Sequence, residues 1–320
     1  MRGILASLVL AFSLNTPTAY GQNIAKDFSL PSVRDNTLIR LSDYSGKVVL
    51  INWWRTNCKW SQAEAPKLVA LYKKYQPKGF VIIGISDDTA DTVAQAPAYL
   101  QKYGVTWPVG YNDQAEFMRD IRPLGQGDTP GNYLVSRSGK IRYLGLDRSP
   151  DAWQRIESSI EGVLAEPVPA KSPIIRSEPT SAPDFDLTDL LGKHVQLKDL
   201  RGKPALVNFF NSQQTCDWAE PAVVKVNQSY KSRGFQVVGI DVGRDTDQSI
   251  QGCKTKYSMT FPILHGTDQV QQAWIGNNSA WAAFFVTPDG KVFKMIRDSI
   301  DNGLEGTVFS KYAEYMLSHK

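Results

Sequence analysis

The sequence predicts an α/β protein of two tandem domains, each a mixed central sheet flanked by helices. Three observations carry this: an internal repeat, strands alternating with helical patterns inside each copy, and a proline-rich joint between the copies. A chain of 320 residues is too long for one ordinary core and suits two. Hydrophobic residues make up 42% and aromatics 11%, so burying two cores is not the limiting problem. The net charge of +4 arises from 36 basic and 32 acidic residues without long runs of either sign. That is a solvated surface and excludes a nucleic-acid footprint.

The repeat is read in order. Asp27-Phe28-Ser29-Leu30 leads through Gly46-Lys47 into Val48-Val49-Leu50-Ile51-Asn52-Trp53-Trp54, and Asp184-Phe185-Asp186-Leu187 leads through Gly202-Lys203 into Ala205-Leu206-Val207-Asn208-Phe209-Phe210. Each apolar run reads as a strand buried on both faces. Gly79-Phe80 and Gly234-Phe235 open a second buried strand. Tyr103, Thr106, Trp107 and Pro108 then match Tyr257, Thr260, Phe261 and Pro262. Finally Tyr133-Leu134-Val135 before Gly139-Lys140 matches Phe284-Phe285-Val286 before Gly290-Lys291, a strand and a turn. Helical stripes lie between, at residues 63–74 with Pro66 near the start, at 219–230, and at 249–257.

Residues 165–183 contain Pro167, Pro169, Pro173, Pro179 and Pro183 among Ser and Glu, a composition that buries no core and reads as a linker. The N-terminus has Arg2, an apolar stretch from Gly3 to Leu14, and small Ala19 and Gly21 ahead of a cleavage point, the pattern of a secretory signal peptide. The expected organisation is therefore a signal peptide over 1–21, a first domain over 22–164, the linker over 165–183 and a second domain over 184–320. The mature chain is expected to carry no membrane span and to be exported, to the periplasm. Three cysteines, Cys58, Cys216 and Cys253, are an odd number, so at least one thiol is free or bonds to another molecule.

Cys58 is the cysteine with a chemical setting. The first core strand runs into Arg55-Thr56-Asn57-Cys58-Lys59-Trp60-Ser61-Gln62-Ala63-Glu64-Ala65-Pro66. Asn57 is a good helix N-cap, which would put Cys58 in the first turn, where the helix dipole favours a thiolate. With its D-F-x-L entry, Gly-Lys turn, W-x-x-x-C start and E-x-P, this chain resembles the TlpA/ResA-like branch of the thioredoxin superfamily over nearly all of both copies. The resemblance implies thioredoxin-like domains, redoxin-type thiol–disulfide exchange with protein thiols and disulfides, an electron donor, and no cofactor. It assigns Cys58 as the attacking thiol and Glu64 as the buried acid that tunes it; an ordinary first-turn helix acid is the other reading of Glu64. It makes Thr129-Pro130 the proline element that receives the substrate backbone. Trp53, Trp54 and Trp60 are candidates for a substrate face, although Trp53 or Trp54 must also pack into the core.

The departures matter equally. The resolving position holds Ser61, so the first copy has a C-x-x-S, monothiol site that cannot resolve a mixed disulfide internally. Ser61 either hydrogen-bonds the Cys58 sulfur or is a small polar replacement. In the second copy the prolines align Cys216 with Ser61, leaving Gln213 at the attacking position. The asparagines instead align Cys216 with Trp60 and Glu220 with Glu64, so the register is open by one residue. Neither register yields two cysteines, and Trp281 takes the proline position. Cys216 is expected to be a quiet thiol, with a second redox thiol as the alternative, and Cys253 a core residue. A split dithiol of Cys58 with Cys216 is a third arrangement. His194, His265 and His319 have no ligand spacing, so no metal site is expected. The peroxidase pattern P-x-x-x-T/S-x-x-C fails, because Ile51 and Arg55 hold its Pro and Thr positions. The leading expectation is an exported monothiol oxidoreductase acting through Cys58. The rival is a non-enzymatic partner-binding or chaperone-like protein on two degenerate folds.

Overall fold

The computed structural model describes residues 24–112, 130–144, 151–170, 174–217, 220–243, 245–276, 281–297 and 305–319; the expected signal peptide and Thr129 lie outside them. The first unit runs β1 (Ser29–Pro31), β2 (Leu38–Arg40), β3 (Val48–Trp54), α1 (Lys59–Tyr75), β4 (Phe80–Ser86), α2 (Ala96–Tyr103), β5 (Val109–Tyr111), β6 (Gly131–Val135), β7 (Ile141–Tyr143) and α3 (Ala152–Leu164). The second runs β8 (Thr180–Ser181), β9 (Asp186–Thr188), β10 (His194–Gln196), β11 (Ala205–Phe210), α4 (Glu220–Tyr230), β12 (Gln236–Asp241), α5 (Asp247–Lys256), β13 (Ile263–His265), α6 (Asp268–Trp274), β14 (Ala282–Val286), β15 (Lys291–Arg297) and α7 (Glu305–Ser318).

Both sheets are mixed, as the repeat implies. The first has the order β5-β4-β3-β6-β7 and the second β13-β12-β11-β14-β15-β8. In the first, β3, β4 and β5 are parallel, while β6 and β7 run antiparallel. The second repeats this with β11, β12 and β13 parallel and β14 and β15 antiparallel. The all-apolar strand β3 is explained by burial on both faces. Val48, Leu50 and Trp54 join the cluster under Leu68 and Leu71 of α1 and Ile156 and Ile160 of α3. Val49, Ile51 and Trp53 join Phe28, Leu30 and Ile39 from the entry hairpin. Alternation along one strand thus feeds two cores.

Helix α1 begins at Lys59, four residues before the expected stripe, so Pro66 sits inside it. Proline there leaves the Gln62 carbonyl without its helical donor. The joint between units is also more ordered than its composition implies. Ile174 packs into the first unit's core beside Phe28 and Leu41, Arg176 pairs with Asp43, and the Ser177 amide donates to Asp27 Oδ2 at 3.1 Å. Thr180 and Ser181, inside the expected linker, are β8 and pair with Val292 and Lys291. The same strap opens the first unit, where Ile24 bridges Lys140 and the Ala25 amide bonds the Gly139 carbonyl at 2.7 Å. Helix α7 reaches back to the first hairpin, with Tyr312 Oη donating to the Ser29 carbonyl at 3.0 Å.

The hairpin closes on β5 with no room to spare. A Cβ at Gly110 would stand 2.6 Å from Leu30 Cβ. Gly110→Ala is therefore expected to push β1 off the sheet and to cost about 1–3 kcal/mol of stability, measured by urea denaturation.

Candidate functional site

The site forms where β3 ends and α1 begins, at the carboxyl edge of the parallel strands. Two residues past the strand, Thr56 is gripped by a carboxylate: its amide donates to Asp88 Oδ1 at 3.0 Å and its hydroxyl to the same oxygen at 2.6 Å. The other oxygen, Asp88 Oδ2, accepts from Ser86 Oγ at 2.7 Å. Asp88 is fully buried, and these three donors compensate its desolvation. Beside it Arg55 forks onto Asp87, with Nη2 at 2.6 Å from Oδ2 and Nε donating to the carbonyl at 2.7 Å. Asn112 Nδ2 steadies Asp87 Oδ1 at 3.0 Å. The loop carrying Cys58 is therefore pinned to the end of β4.

Cys58 itself is the N-cap of α1, in extended backbone at φ −83° and ψ 116°. Asn57, expected as the cap, lies one residue too early, because the Cys58 amide already closes a turn onto the Arg55 carbonyl at 3.2 Å. Cys58 is half-buried and is the cysteine that forms no disulfide. Its position still places it at the positive end of a 17-residue helix.

Ser61 faces inward, buried, and its Oγ accepts from the Arg55 amide at 3.2 Å. The serine hydroxyl thus closes the loop. The Ser61 carbonyl accepts from Tyr99 Oη at 2.9 Å, and Tyr99 stacks on Trp54 with centroids 4.4 Å apart. Trp54 is consequently a buried core residue, 3% exposed, which overturns its assignment to a substrate face. Trp60 remains a surface group at 39% exposure, with Lys59 Nζ 5.3 Å from its ring centroid.

One turn beyond Ser61, Glu64 meets a pair of asparagines. Asn52 Nδ2 donates to Asn132 Oδ1 at 3.0 Å, and Asn132 Nδ2 donates to Glu64 Oε2 at 3.4 Å. Burial pushes the Glu64 carboxyl up to about 7, opposed in part by Asn132 and Lys67. Burial also raises the Tyr99 phenol, with Tyr103, Glu64 and Cys58 adding to the effect, so the Cys58 and Glu64 charges act on one ring. Pro130 is buried and directly precedes β6, whose Gly131 lies opposite Trp53, so it stands at the same sheet edge as Cys58. Sequence reasoning missed Asp88, Tyr99 and the asparagine pair. A polar Asn at the centre of both apolar strands, Asn52 and Asn208, was the available signal.

In the second unit Cys216 is neither a quiet thiol nor a partner of Cys58. It forms a disulfide with Cys253, Cα to Cα 6.1 Å, which removes the split-dithiol arrangement. The open register also closes. The strand copies align Thr56 with Ser212, whose amides donate to the buried carboxylates of Asp88 and Asp241. On the helices, buried Ala65, Leu68, Leu71 and Tyr75 match buried Glu220, Val223, Val226 and Tyr230, which puts Cys216 at the place of Ser61. The residue is lost between Ser212 and Cys216. Glu220 then occupies the inward position of Ala65, where Asn208 Nδ2 reaches it directly at 2.6 Å. Trp281 is buried and stacked on Phe309 at 6.2 Å, part of the core rather than a groove.

A profile described as the AhpC/TSA family matches residues 22–144 and 180–295. Among curated relatives, the chain is 32% identical over 123 residues to the thiol-disulfide oxidoreductase ResA of Oceanobacillus iheyensis, covering 38% of this chain and 62% of that protein. It is 29% identical over 130 residues to ResA of Bacillus subtilis, covering 40% and 72%. The match thus spans less than two thirds of the first of these relatives. A crystal structure titled as a putative thiol:disulfide interchange protein DsbE from Chlorobium tepidum is 22% identical, with a TM-score of 0.38, over 45% of this chain and 97% of that one.

The Glu64 value fixes a pH effect on stability. Its carboxyl ordinarily titrates near 4.5 and in the fold near 7. Below about 4.5 both folded and unfolded chains hold the proton. Between the two values only the folded chain does, so stability falls as pH climbs from 4.5 to 7 and levels off above. Glu64→Gln is expected to remove this slope and to gain on the order of 1–3 kcal/mol at pH 8, allowing for solvent screening, as read by urea denaturation at pH 5 and 8.

Proposed function

The chain belongs to the AhpC/TSA family, and from that premise we propose that it is an exported thiol–disulfide oxidoreductase of monothiol type, acting through Cys58. The observation that carries this reading is a half-buried cysteine outside any disulfide, at the N-cap of α1, on a loop pinned by Asp88, at the edge where the parallel strands end. The peroxidase branch of chemistry is disfavoured by Ile51, fully buried in β3, and by Arg55, engaged with Asp87, at the positions where Pro and Thr would stand.

The steps follow from thiol chemistry. The Cys58 thiolate attacks a partner disulfide, a bond forms to one partner sulfur, and the other leaves as a thiolate. Ser61 cannot displace the adduct, so a second, external thiol attacks it and regenerates Cys58. Thr129-Pro130 is the element assigned to position the partner backbone, and the exposed Trp60, two residues after Cys58, is the apolar contact assigned to the partner. Glu64, neutral below about pH 7 and charged above it, sets the field at the site. Protein thiols and disulfides, with an external electron donor, are the partners this scheme needs. The first catalytic domain is assigned to 22–164. The second unit, expected to begin at 184, is assigned from the β8 strap at Thr180 onward.

Two measurements test the scheme. With Cys216 and Cys253 changed to Ser, Cys58 of the folded protein should form a stable mixed disulfide with a model disulfide, detected by mass, and faster than in the urea-unfolded chain; no adduct, or one formed no faster than in the unfolded chain, would sink the proposal. In the same background Ser61→Cys should convert trapping into turnover, so that the adduct is released with formation of an internal disulfide and insulin reduction by dithiothreitol accelerates.

A further inference from the structure

At the end of each sheet away from the thiol edge, one strand begins before its outer neighbour does. β12 pairs with β11 from Gln236 to Asp241 but with β13 only from Gly239 onward. Gly239 donates to the Pro262 carbonyl on the β13 side. Two residues earlier, Val237 turns its amide and carbonyl to that same side, ahead of the start of β13. The first unit repeats this geometry, with β4 meeting β5 only from Gly84, but there the edge is closed over. Leu38 of the entry hairpin joins the core with Tyr75 and Phe80, and Arg34 Nη2 reaches across to the Val105 carbonyl at 2.6 Å.

The second unit has neither closure. The hairpin registers put His194 at the place of Leu38 and Lys193 at that of Thr37. The matching bridges of Ser32 and Asp189 put Leu191 at the place of Arg34, and Leu191 is 91% exposed. What remains is a groove of about 630 Å3 between the β9–β10 hairpin and the end of α4, a size that suits a ligand. Val195, Val237 and Phe261 are its apolar lining. Lys193, Lys203 and Lys231 stand exposed around it, and none is ion-paired among the described residues. Asp199 is the one carboxylate among the described lining residues, and its Oδ2 already accepts from the Gln196 amide at 2.9 Å. His194 is held by Asp186 at 2.8 Å. Two of the three cations are particular to this unit, since Thr37 and Gln76 stand where it has Lys193 and Lys231.

Lysines alone would be an ordinary solvated surface. Here they border an apolar trough with an unextended strand edge, and each feature specifies a property of the occupant. Three cations against one engaged aspartate call for carboxylates. The apolar lining calls for hydrophobic side chains between them, and the edge at Val237 calls for a main chain in extended conformation. A small free anion would use only the first of these.

We propose that the second unit is a peptide-binding module, whose groove takes an extended acidic segment of a partner protein. The segment lies beside the start of β12 in line with β13, its main chain bonding Val237. Its carboxylates meet Lys193, Lys203 and Lys231, and its apolar side chains lie on Val195 and Phe261. The groove is at the opposite end of its sheet from the Cys216 loop, and Cys58 takes no part in it. The site therefore stands or falls independently of the thiol chemistry assigned to the first unit.

The test uses the full chain with Cys58→Ser and a short fluorescent peptide of alternating Glu and Val, titrated by anisotropy at low salt. Binding should saturate. It should weaken about tenfold or more when Lys193→Thr and Lys231→Gln install the first unit's residues, with thermal unfolding unchanged. A Lys-Val peptide should not bind, and free glutamate at the same carboxylate concentration should not compete. Of two Glu-Val peptides N-methylated on opposite edges, one should bind about tenfold or more weaker, because its methyl groups face β12. Absence of saturation, or equal binding to the double variant, would overturn the proposal. So would competition by glutamate or full affinity of both methylated peptides, which would reduce the groove to a site for anions alone.

Discussion

Everything at the site hangs on a buried carboxylate that receives the second backbone amide beyond the strand. Asp88 does this for Thr56 and Asp241 for Ser212. A strand that ends inside a protein leaves amides that must be satisfied before the chain can turn into a helix. A carboxylate behind the sheet satisfies them and fixes the direction in which the loop departs. The cysteine, the helix start and the inward serine then follow from chain length alone. The cost of burying Asp88 is met by hydroxyl and amide donors on the loop and on β4, so the clamp and the loop are one structure.

Around that shared clamp the two units have diverged by one residue. Losing a position between Ser212 and Cys216 rotates the following helix by one step. The acid that in the first unit sits beside two asparagines at a half-buried position becomes, in the second, a sealed residue against Asn208. Ala283 stands in β14 opposite Asn208, where β6 has Asn132 opposite Asn52, so nothing is left to relay between strand and acid. One unit thus keeps a half-buried acid, and the other a fully buried one.

The repeat made the architecture legible. Two mixed sheets, their central strands and the strand-to-helix position of Cys58 follow from motifs that recur in order. What escaped has physical causes. Asn57 is a better intrinsic cap than cysteine, but a turn onto Arg55 used the preceding amide and moved the cap by one residue. Trp54 looks like a surface aromatic near a thiol, yet strand alternation sends it under Tyr99. The Cys216–Cys253 bond joins residues 37 apart, a pairing that spacing alone does not reveal. Strand β8 hid inside a proline-rich run, since two residues of edge pairing leave almost no compositional trace.

That short edge strand has a consequence for how the chain is divided. The outer side of β15 is paired at Lys291 and Val292 by Ser181 and Thr180, and a single bridge joins Ile24 to Lys140 at the rim of the first sheet. An uncovered strand rim is a template for pairing with other molecules. A second unit severed at the last proline, Pro183, would leave the first two residues of β15 without that pairing. A stretch that reads as spacer by composition thus carries two residues of edge pairing at the front of the second sheet.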